Sequence, residues 1–387
     1  MEPAILVIVL ALAVELLIYA LFSFNSGIAG YLRGRGVSVY PFMVLIDLGK
    51  VPRFRTIERS RRLRSVLLIT GLANFLALVA MFYWYIAPSV KALLEALVRV
   101  KVPESPFIPI VPGVTVNVST FLYILLALSI GVALHELFHA IAAYSVGWRI
   151  DAWGVGVFLI FPLAYVKINE EDYKQAKLKC KAAVLTAGVL ANTILFLIAI
   201  SLVPVVASHI TSAVVIVGLD ESDPTAPAVM AKIPYPSIIC SINATRVSSI
   251  GDLRDYLVRY GNTSVTYVIR LSKAELLGEV VRSVGSCKEY VVRKPAGRWR
   301  LGIYLSELPT YGTPAYIITL ARFTYWFEVV NVSLAMLNAA PIYISDGGRL
   351  VTEVLGRVKL KAVNHVIQAT TAFLIAVFLI SSLAKYI

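Results

Sequence analysis

The chain has 387 residues, 58% of them apolar and 15% charged, and its mean hydropathy is +0.79. Soluble proteins hold roughly 45–50% apolar residues, so this composition excludes disordered, collagen-like and disulfide-scaffold classes and argues against an ordinary cytosolic enzyme. The net charge of +13, from 36 Lys/Arg against 23 Asp/Glu, does not point to nucleic acid, because the basic residues sit in particular loops between long apolar runs, as membrane topology requires.

Six apolar runs are long enough to cross a bilayer core. They cover residues 3–22, 65–87, 119–146, 182–207, 315–341 and 362–387. The first lacks a basic leader and is longer than a signal peptide needs; its Glu15 is expected to face the bundle interior. Residues 151–166, DAWGVGVFLIFPLAYV, are apolar but only 16 long, with two glycines and a proline. They read as a re-entrant β-hairpin, since irregular backbone at membrane depth is tolerated where protein or a water-filled cavity covers it.

Loop charges orient the spans. Residues 23–64 hold nine Lys/Arg: Arg33, Arg35, Lys50, Arg53, Arg55, Arg59, Arg61, Arg62 and Arg64. That loop is expected in the cytoplasm, as are 167–181 and 342–361, both basic. Residues 88–118, with only Lys91, Arg99 and Lys101, and 208–314 then fall outside. The pattern is self-consistent only if 151–166 does not cross. Three parts result: an N-terminal membrane part, 1–207; an extracytoplasmic domain, 208–314; and a C-terminal membrane part, 315–387.

The middle part carries alternating segments, SAVVIVGL, PSIICSINATRV, TSVTYVIRL, EYVVRK and RWRLGIYL, and a helical segment at 250–260. Short strands with one or two helices make a small β-rich domain. Its order, a Pro/Ala-rich helix start, a strand, then SINATRVSSIGDL leading into a helix, resembles a PDZ domain. That resemblance implies an extended peptide ligand added to a sheet edge. Of three cysteines, Cys240 and Cys287 lie in this domain and are a candidate pair; no CxxC occurs, so a thiolate metal site is not supported.

The chemistry concentrates in HELFH, residues 135–139. Positions i and i+4 share a helix face, so His135 and His139 can present two imidazoles to one metal, with Glu136 placed as general base for a metal-activated water. Two histidines and a glutamate inside an apolar span are costly and default to function. Catalytic zinc needs a third protein ligand and an open position. The residues leave two candidates: His365, at the start of the last span, and Asp346 in LNAAPIYISDGGRL, between Pro341 and the Gly347–Gly348 pair. His209 falls at the opposite face. Asp346 could equally begin the following helix as its cap.

HELFH within a span, with a distant N-x-x-P-x-x-x-x-D-G (Asn338, Pro341, Asp346, Gly347), resembles the site-2 protease family of intramembrane zinc metalloproteases. GVSVYPF at 36–42, PGVTVNVSTF at 112–121 and GVGVFLIFPLAYV at 154–166 are similar to the branch that holds the eukaryotic enzymes, and AGVLAN at 187–192 is similar to the family's A-G-x-x-x-N. Phe138 departs from the glycine many members have before the second histidine. The resemblance implies that His135, His139 and Asp346 bind Zn2+ and that Glu136 activates water. It implies that Asn192 bonds the substrate backbone or the developing oxyanion, that Asn338 shapes the site, and that Gly188 allows close packing. The expected activity is hydrolysis of a peptide bond within or near the membrane-spanning segment of a membrane protein, in regulated intramembrane proteolysis. A zinc transporter and a non-catalytic PDZ-bearing receptor are the competing readings; a general-base glutamate beside a ligand has no use in transport, and loss of a histidine or the glutamate, all of which are present, would mark the receptor.

Overall fold

The computed structural model describes residues 3–24, 26–49, 57–99, 105–260, 263–298 and 300–383. Lys50, Arg53, Arg55 and Lys101 of the charged loops, and the last four residues of the final expected span, lie outside them. In chain order the elements are α1 (Pro3–Phe24), α2 (Ser26–Gly34), β1 (Val37–Tyr40), β2 (Met43–Asp47), α3 (Arg61–Arg99), α4 (Val118–Val146), β3 (Ile150–Phe158), β4 (Phe161–Ile168), α5 (Glu170–Gln175) and α6 (Leu178–Ala207). There follow β5 (Ser212–Leu219), α7 (Pro227–Met230), β6 (Ser237–Ile242), β7 (Thr245–Arg246), α8 (Ile250–Val258), β8 (Val265–Leu277), β9 (Val280–Lys294), β10 (Ile303–Pro309), α9 (Ala315–Ala339), α10 (Asp346–Arg357) and α11 (Lys361–Leu383). The chain divides into two compact units, Met1–Ser201 with Phe323–Ile387, and Leu202–Arg322.

Within the first unit, four helices among the described residues are long and apolar enough to cross a membrane: Arg61–Glu95, Val118–Val146, Leu178–Ala207 and Lys361–Ser382. The 29 residues of α4 extend roughly 43 Å at 1.5 Å per residue, beyond the ~30 Å hydrocarbon core. Asn117 caps its start, accepting from Thr120 N, and Gly147 ends it with φ 84°. Two further expected spans are helices, but they are not among the four. In α1 only Leu12–Phe22 counts, as a shorter apolar helix, and α9 carries Arg322, Glu328, Asn331 and Asn338, which dilute its apolar character.

Apolar side chains lock these helices together. Phe75 and Leu78 of α3 pack with Leu185 and Val189 of α6, Ala335 and Ala339 of α9 and Leu350 of α10. Ala142 and Ala143 of α4 pack on Leu67 of α3 and on Val184 and Ala187 of α6. The small residues bring α4 and α6 close, which is how helices associate where burial from water supplies no drive.

The expected hairpin is present as β3 and β4, paired from Ile150–Ile168 to Phe158–Phe161. It belongs to a larger antiparallel sheet of order β1-β2-β3-β4. The first two strands come from the run VSVYPFMVLID, which lies inside the expected basic loop 23–64. β4 is an edge of this sheet.

The second unit holds the five expected β segments as β5, β6 with β7, β8, β9 and β10, in the order β10-β5-β6-β8-β9 with β7 on β6. Its own core is built on Ile216, Ile242, Leu253 and Tyr267. Ser249 and Asp252 form a capping box at the start of α8. Cys240 and Cys287 are disulfide-bonded, with Cα atoms 6.6 Å apart, joining β6 to β9.

Candidate metal centre

Helical periodicity puts His135 and His139 on one face of α4, both 7% exposed. Their rings lie 4.7 Å apart, nearly edge to face. The facing wall is α6, where Gly188 stands opposite both rings: a Cβ there would sit 2.4 Å from His139 Nε2 and 2.5 Å from His135 Nε2. The expected close packing of Gly188 therefore has a specific object, room for the imidazoles.

Asp346 arrives from the break between α9 and α10. Ser345 knits that break: its Oγ donates to Ala340 O and accepts from Gly348 N. Gly347 and Gly348 are obligatory, since a Cβ at either would lie 2.1 Å from Ala339 O or 1.8 Å from Ile342 O. The sequence left Asp346 open between ligand and cap; in the structure Ser345 is the cap and Asp346 is the first helical residue. Its Oδ2 lies 3.1 Å from both His135 Nε2 and His139 Nε2, and the two Nε2 atoms are 3.0 Å apart.

The Nδ1 atoms explain what this triangle needs. His139 Nδ1 lies 2.7 Å from Val184 O. A carbonyl only accepts, so Nδ1 carries a hydrogen, which leaves Nε2 as the nitrogen able to present a lone pair to a metal. His135 Nδ1 lies 2.6 Å from Asn192 Oδ1, another acceptor. Two imidazole nitrogens and a carboxylate, all able to act as metal ligands, thus converge in a buried place, where a cation between them would be balanced. Donor atoms about 3.3 Å apart form the edges of a tetrahedron with bonds of about 2.0–2.1 Å, the zinc–nitrogen and zinc–oxygen range. The observed triangle fits that ion.

Glu136 is half-buried, and its donor atom lies within 4.8 Å of those of the two histidines. Its Oε2 accepts from Val166 N at 2.9 Å. That amide faces away from β3, so by the alternation of an antiparallel pair the Ala164 N–H, two residues back, does too. Both belong to the free edge of β4. A cavity of about 650 Å³ opens beside the site; Glu136, His139, Val166 and Asp346 line it together with charged Lys167 and Arg349.

The other predicted residues fall as follows. His365 is exposed and faces Tyr343 Oη at 3.2 Å, away from the triangle. His209 bonds Val205 O in its own turn. Asn338 donates to Leu334 O, one turn back in α9, and among the described residues no hydrogen bond joins it to the histidines. Asn192, expected to face substrate, is fully buried and bonded to His135. Sequence reasoning missed two groups. The Val166 amide is backbone and carries no side-chain signal. Asn331, a fully buried asparagine of α9, accepts from Asn192 Nδ2; its only trace was an amide inside an apolar run.

The chain is 29% identical over 241 residues to an uncharacterized protein of Methanocaldococcus jannaschii. The match covers 62% of this chain and 56% of that protein, so it spans little more than half of the relative. The model of Peptidase family M50 matches residues 123–382, a stretch that runs from α4 into α11 and contains HELFH, Asn192 and Asp346. The chain therefore belongs to peptidase family M50, the site-2 protease family of membrane metalloproteases.

Proposed function

We propose that this protein is an intramembrane zinc endopeptidase, cutting a peptide bond within or near the membrane-spanning segment of membrane-protein substrates. The observation that carries the reading is the buried triangle of His135, His139 and Asp346 acceptor atoms with Glu136 beside it, set in a helix apolar enough to cross a bilayer. His135, His139 and Asp346 would hold the metal, which supplies Lewis-acid polarisation of a water and of the scissile carbonyl when bound.

The chain's own groups do the rest. Glu136 takes the proton of the attacking water and returns it to the leaving amine, general acid–base work worth about 10²–10⁴ in rate. A helical substrate must unwind, because its carbonyls are already bonded, and the freed groups need new partners in an apolar medium. The free edge of β4 offers them by strand addition. Val166 N–H, one of that edge's donors, is held by Glu136 in the resting enzyme. An arriving substrate carbonyl that takes this donor releases the glutamate toward the water. Pro162 leaves the edge without a donor at its position, which also blunts it against unwanted pairing.

Water reaches the site through the 650 Å³ cavity. Its charged rim belongs to segments 167–181 and 342–361, which the loop-charge rule puts in the cytoplasm. Residues 208–314 are then extracytoplasmic. Their PDZ-like order suits a peptide ligand, and a role in admitting substrates after an earlier extracytoplasmic cut fits regulated proteolysis.

The test is cleavage of single-span model substrates by the full-length protein in detergent, with zinc content measured in parallel. Glu136→Gln is expected to keep zinc and lose cleavage by about 10²–10⁴, and a chelator is expected to abolish cleavage by the wild type. Cleavage that persists with the metal removed would end this reading. Zinc bound without cleavage of any substrate would favour a transporter or receptor.

A further inference from the structure

The metal-facing side of His135 is set by which of its ring nitrogens carries the hydrogen, and that depends on which end of the Asn192 amide it meets. An asparagine amide has a donating and an accepting end of nearly equal shape. Presented with Nδ2, His135 would have to accept at Nδ1, leaving the hydrogen on Nε2, pointed at the metal. Something must choose the end.

The hydrogen bonds name the chooser. Asn331 contacts Phe327 O at 2.8 Å with one end of its amide; a carbonyl only accepts, so that end is Nδ2. The other end is then Oδ1, and it lies 3.2 Å from Asn192, which must offer Nδ2. The same Asn192 nitrogen lies 3.2 Å from Gly131 O, a second acceptor. Asn192 Oδ1 is left for His135 Nδ1 at 2.6 Å. Asn192 and Asn331 are both 0% exposed, so no water competes, and an amide turned the wrong way would face two acceptors with its own oxygen. The chain is anchored at both ends by carbonyls and runs across three helices: Phe327 O and Asn331 on α9, Asn192 on α6, His135 and Gly131 on α4.

We propose that Asn331 is a positioning residue that acts through Asn192 to hold His135 with its Nε2 lone pair toward the metal. The proposal rests on the metalloprotease reading and goes beyond it, since Asn331 touches no ligand atom and lies outside every motif read in the sequence. It also moves Asn192 from a substrate-binding role to the outer shell of the metal. Removing such groups elsewhere weakens metal binding by 10–100-fold.

The experiment measures Zn2+ affinity of the full-length protein in detergent by competition with a chelator, with thermal unfolding of each variant as the control for folding. Asn331→Leu, which fills the space without an acceptor, is expected to bind Zn2+ at least about tenfold more weakly. Asn331→Asp is expected to stay within about twofold, because its carboxyl keeps an acceptor for Asn192 and, when protonated, a donor for Phe327 O. The decisive arm uses Asn192→Asp. A carboxyl offers His135 an oxygen whichever way it turns and, when protonated, a hydrogen to Gly131 O, so adding Asn331→Leu in that background is expected to cost less than about twofold, a non-additivity that thermal unfolding of the same variants separates from lost packing. Should the leucine variant fail to fold, Asn331→Ala carries the same comparison. Equal losses from Asn331→Leu in both backgrounds, or none in either, would overturn the relay while leaving the zinc site intact. A wild type that binds no Zn2+ would overturn the metalloprotease reading itself.

Discussion

Two polar clusters lie among the same apolar helices, and they are built on opposite principles. In the first, His135, His139 and Asp346 bring three acceptor atoms within 3.0–3.1 Å of one another, with the ring hydrogens turned outward to Val184 O and Asn192 Oδ1. In the second, Lys181 of α6 donates to both carboxylate oxygens of Glu353 of α10 at 2.9 Å, and its ammonium lies 4.6 Å from the centre of the Tyr173 ring. Charge meets opposite charge and each donor has an acceptor. Polarity in an apolar helix is common to both and does not tell them apart. What separates them is balance: the second cluster is complete in its own side chains, whereas the first needs a further cation, a metal ion or a proton, between its three acceptor atoms.

The strongest test of that contrast removes one acceptor from the unbalanced cluster. Asp346→Ala is expected to weaken Zn2+ binding by more than about 100-fold, beyond what an outer-shell group costs. It should cost little folding stability in metal-free protein, because three converging acceptors repel and one has gone. Chelator competition and metal-free unfolding measure the two halves. Normal zinc occupancy would return His365 to consideration despite its contact with Tyr343. A large loss of metal-free stability would mean that the triangle is held by a proton and is as balanced as its neighbour.

How far each cluster could be read from sequence follows from the distances along the chain that its contacts span. HELFH is local, five residues whose two histidines, four apart, share one helix face, and it was legible as chemistry before any family likeness. Asp346 stood out over His365 through Pro341 and the two glycines, but spacing could not separate a ligand from a helix cap; the distinction needed the α9–α10 break, where Ser345 is the cap. The Lys181–Glu353 pair was invisible, as its members are 172 residues apart and each reads as an ordinary loop-end charge. Asn331 was equally hidden, since a lone asparagine in an apolar run has no period. The hairpin was legible from its length, glycines and proline. Strands β1 and β2, only four and five residues long, were masked by the basic residues around them. The exact number of spans was the weakest part of the reading, because α9 buries polar side chains against its neighbours and so looks less like a lipid-facing helix.

The balanced cluster should respond in the reverse sense. Lys181→Met leaves the Glu353 carboxylate, whose side chain is 23% exposed, without its cation. Breaking a fully buried pair costs 3–5 kcal/mol; with this exposure the loss should be about 1–3 kcal/mol. Adding Glu353→Gln removes the stranded charge and should recover most of it. Zn2+ affinity should stay within about twofold throughout, as neither residue touches the triangle. Thermal unfolding of the single and double variants, with chelator competition on each, reads both. A double variant no more stable than the single one would show that the pair is more than mutual neutralisation.

The smallest expected effect is the most selective. Tyr173→Phe keeps the ring over Lys181 and deletes only the hydroxyl, which feels the Glu353 carboxylate, so no more than about 1 kcal/mol of stability should be lost. Burial, and then the neighbouring carboxylate, push the ionisation of that hydroxyl well above its ordinary value. It therefore remains a neutral hydroxyl through the whole neutral range, and the difference between the variant and the wild type should not change between pH 6 and 9 as about one proton's worth of linkage would make it do. The two clusters share helices α6 and α10 but no side chain, so the variant should leave Zn2+ affinity untouched. If it weakened zinc binding as an outer-shell group does, the Tyr173 hydroxyl would be acting on Asp346 through α10, and the boundary between a structural cluster and a metal cluster would have to be redrawn around both.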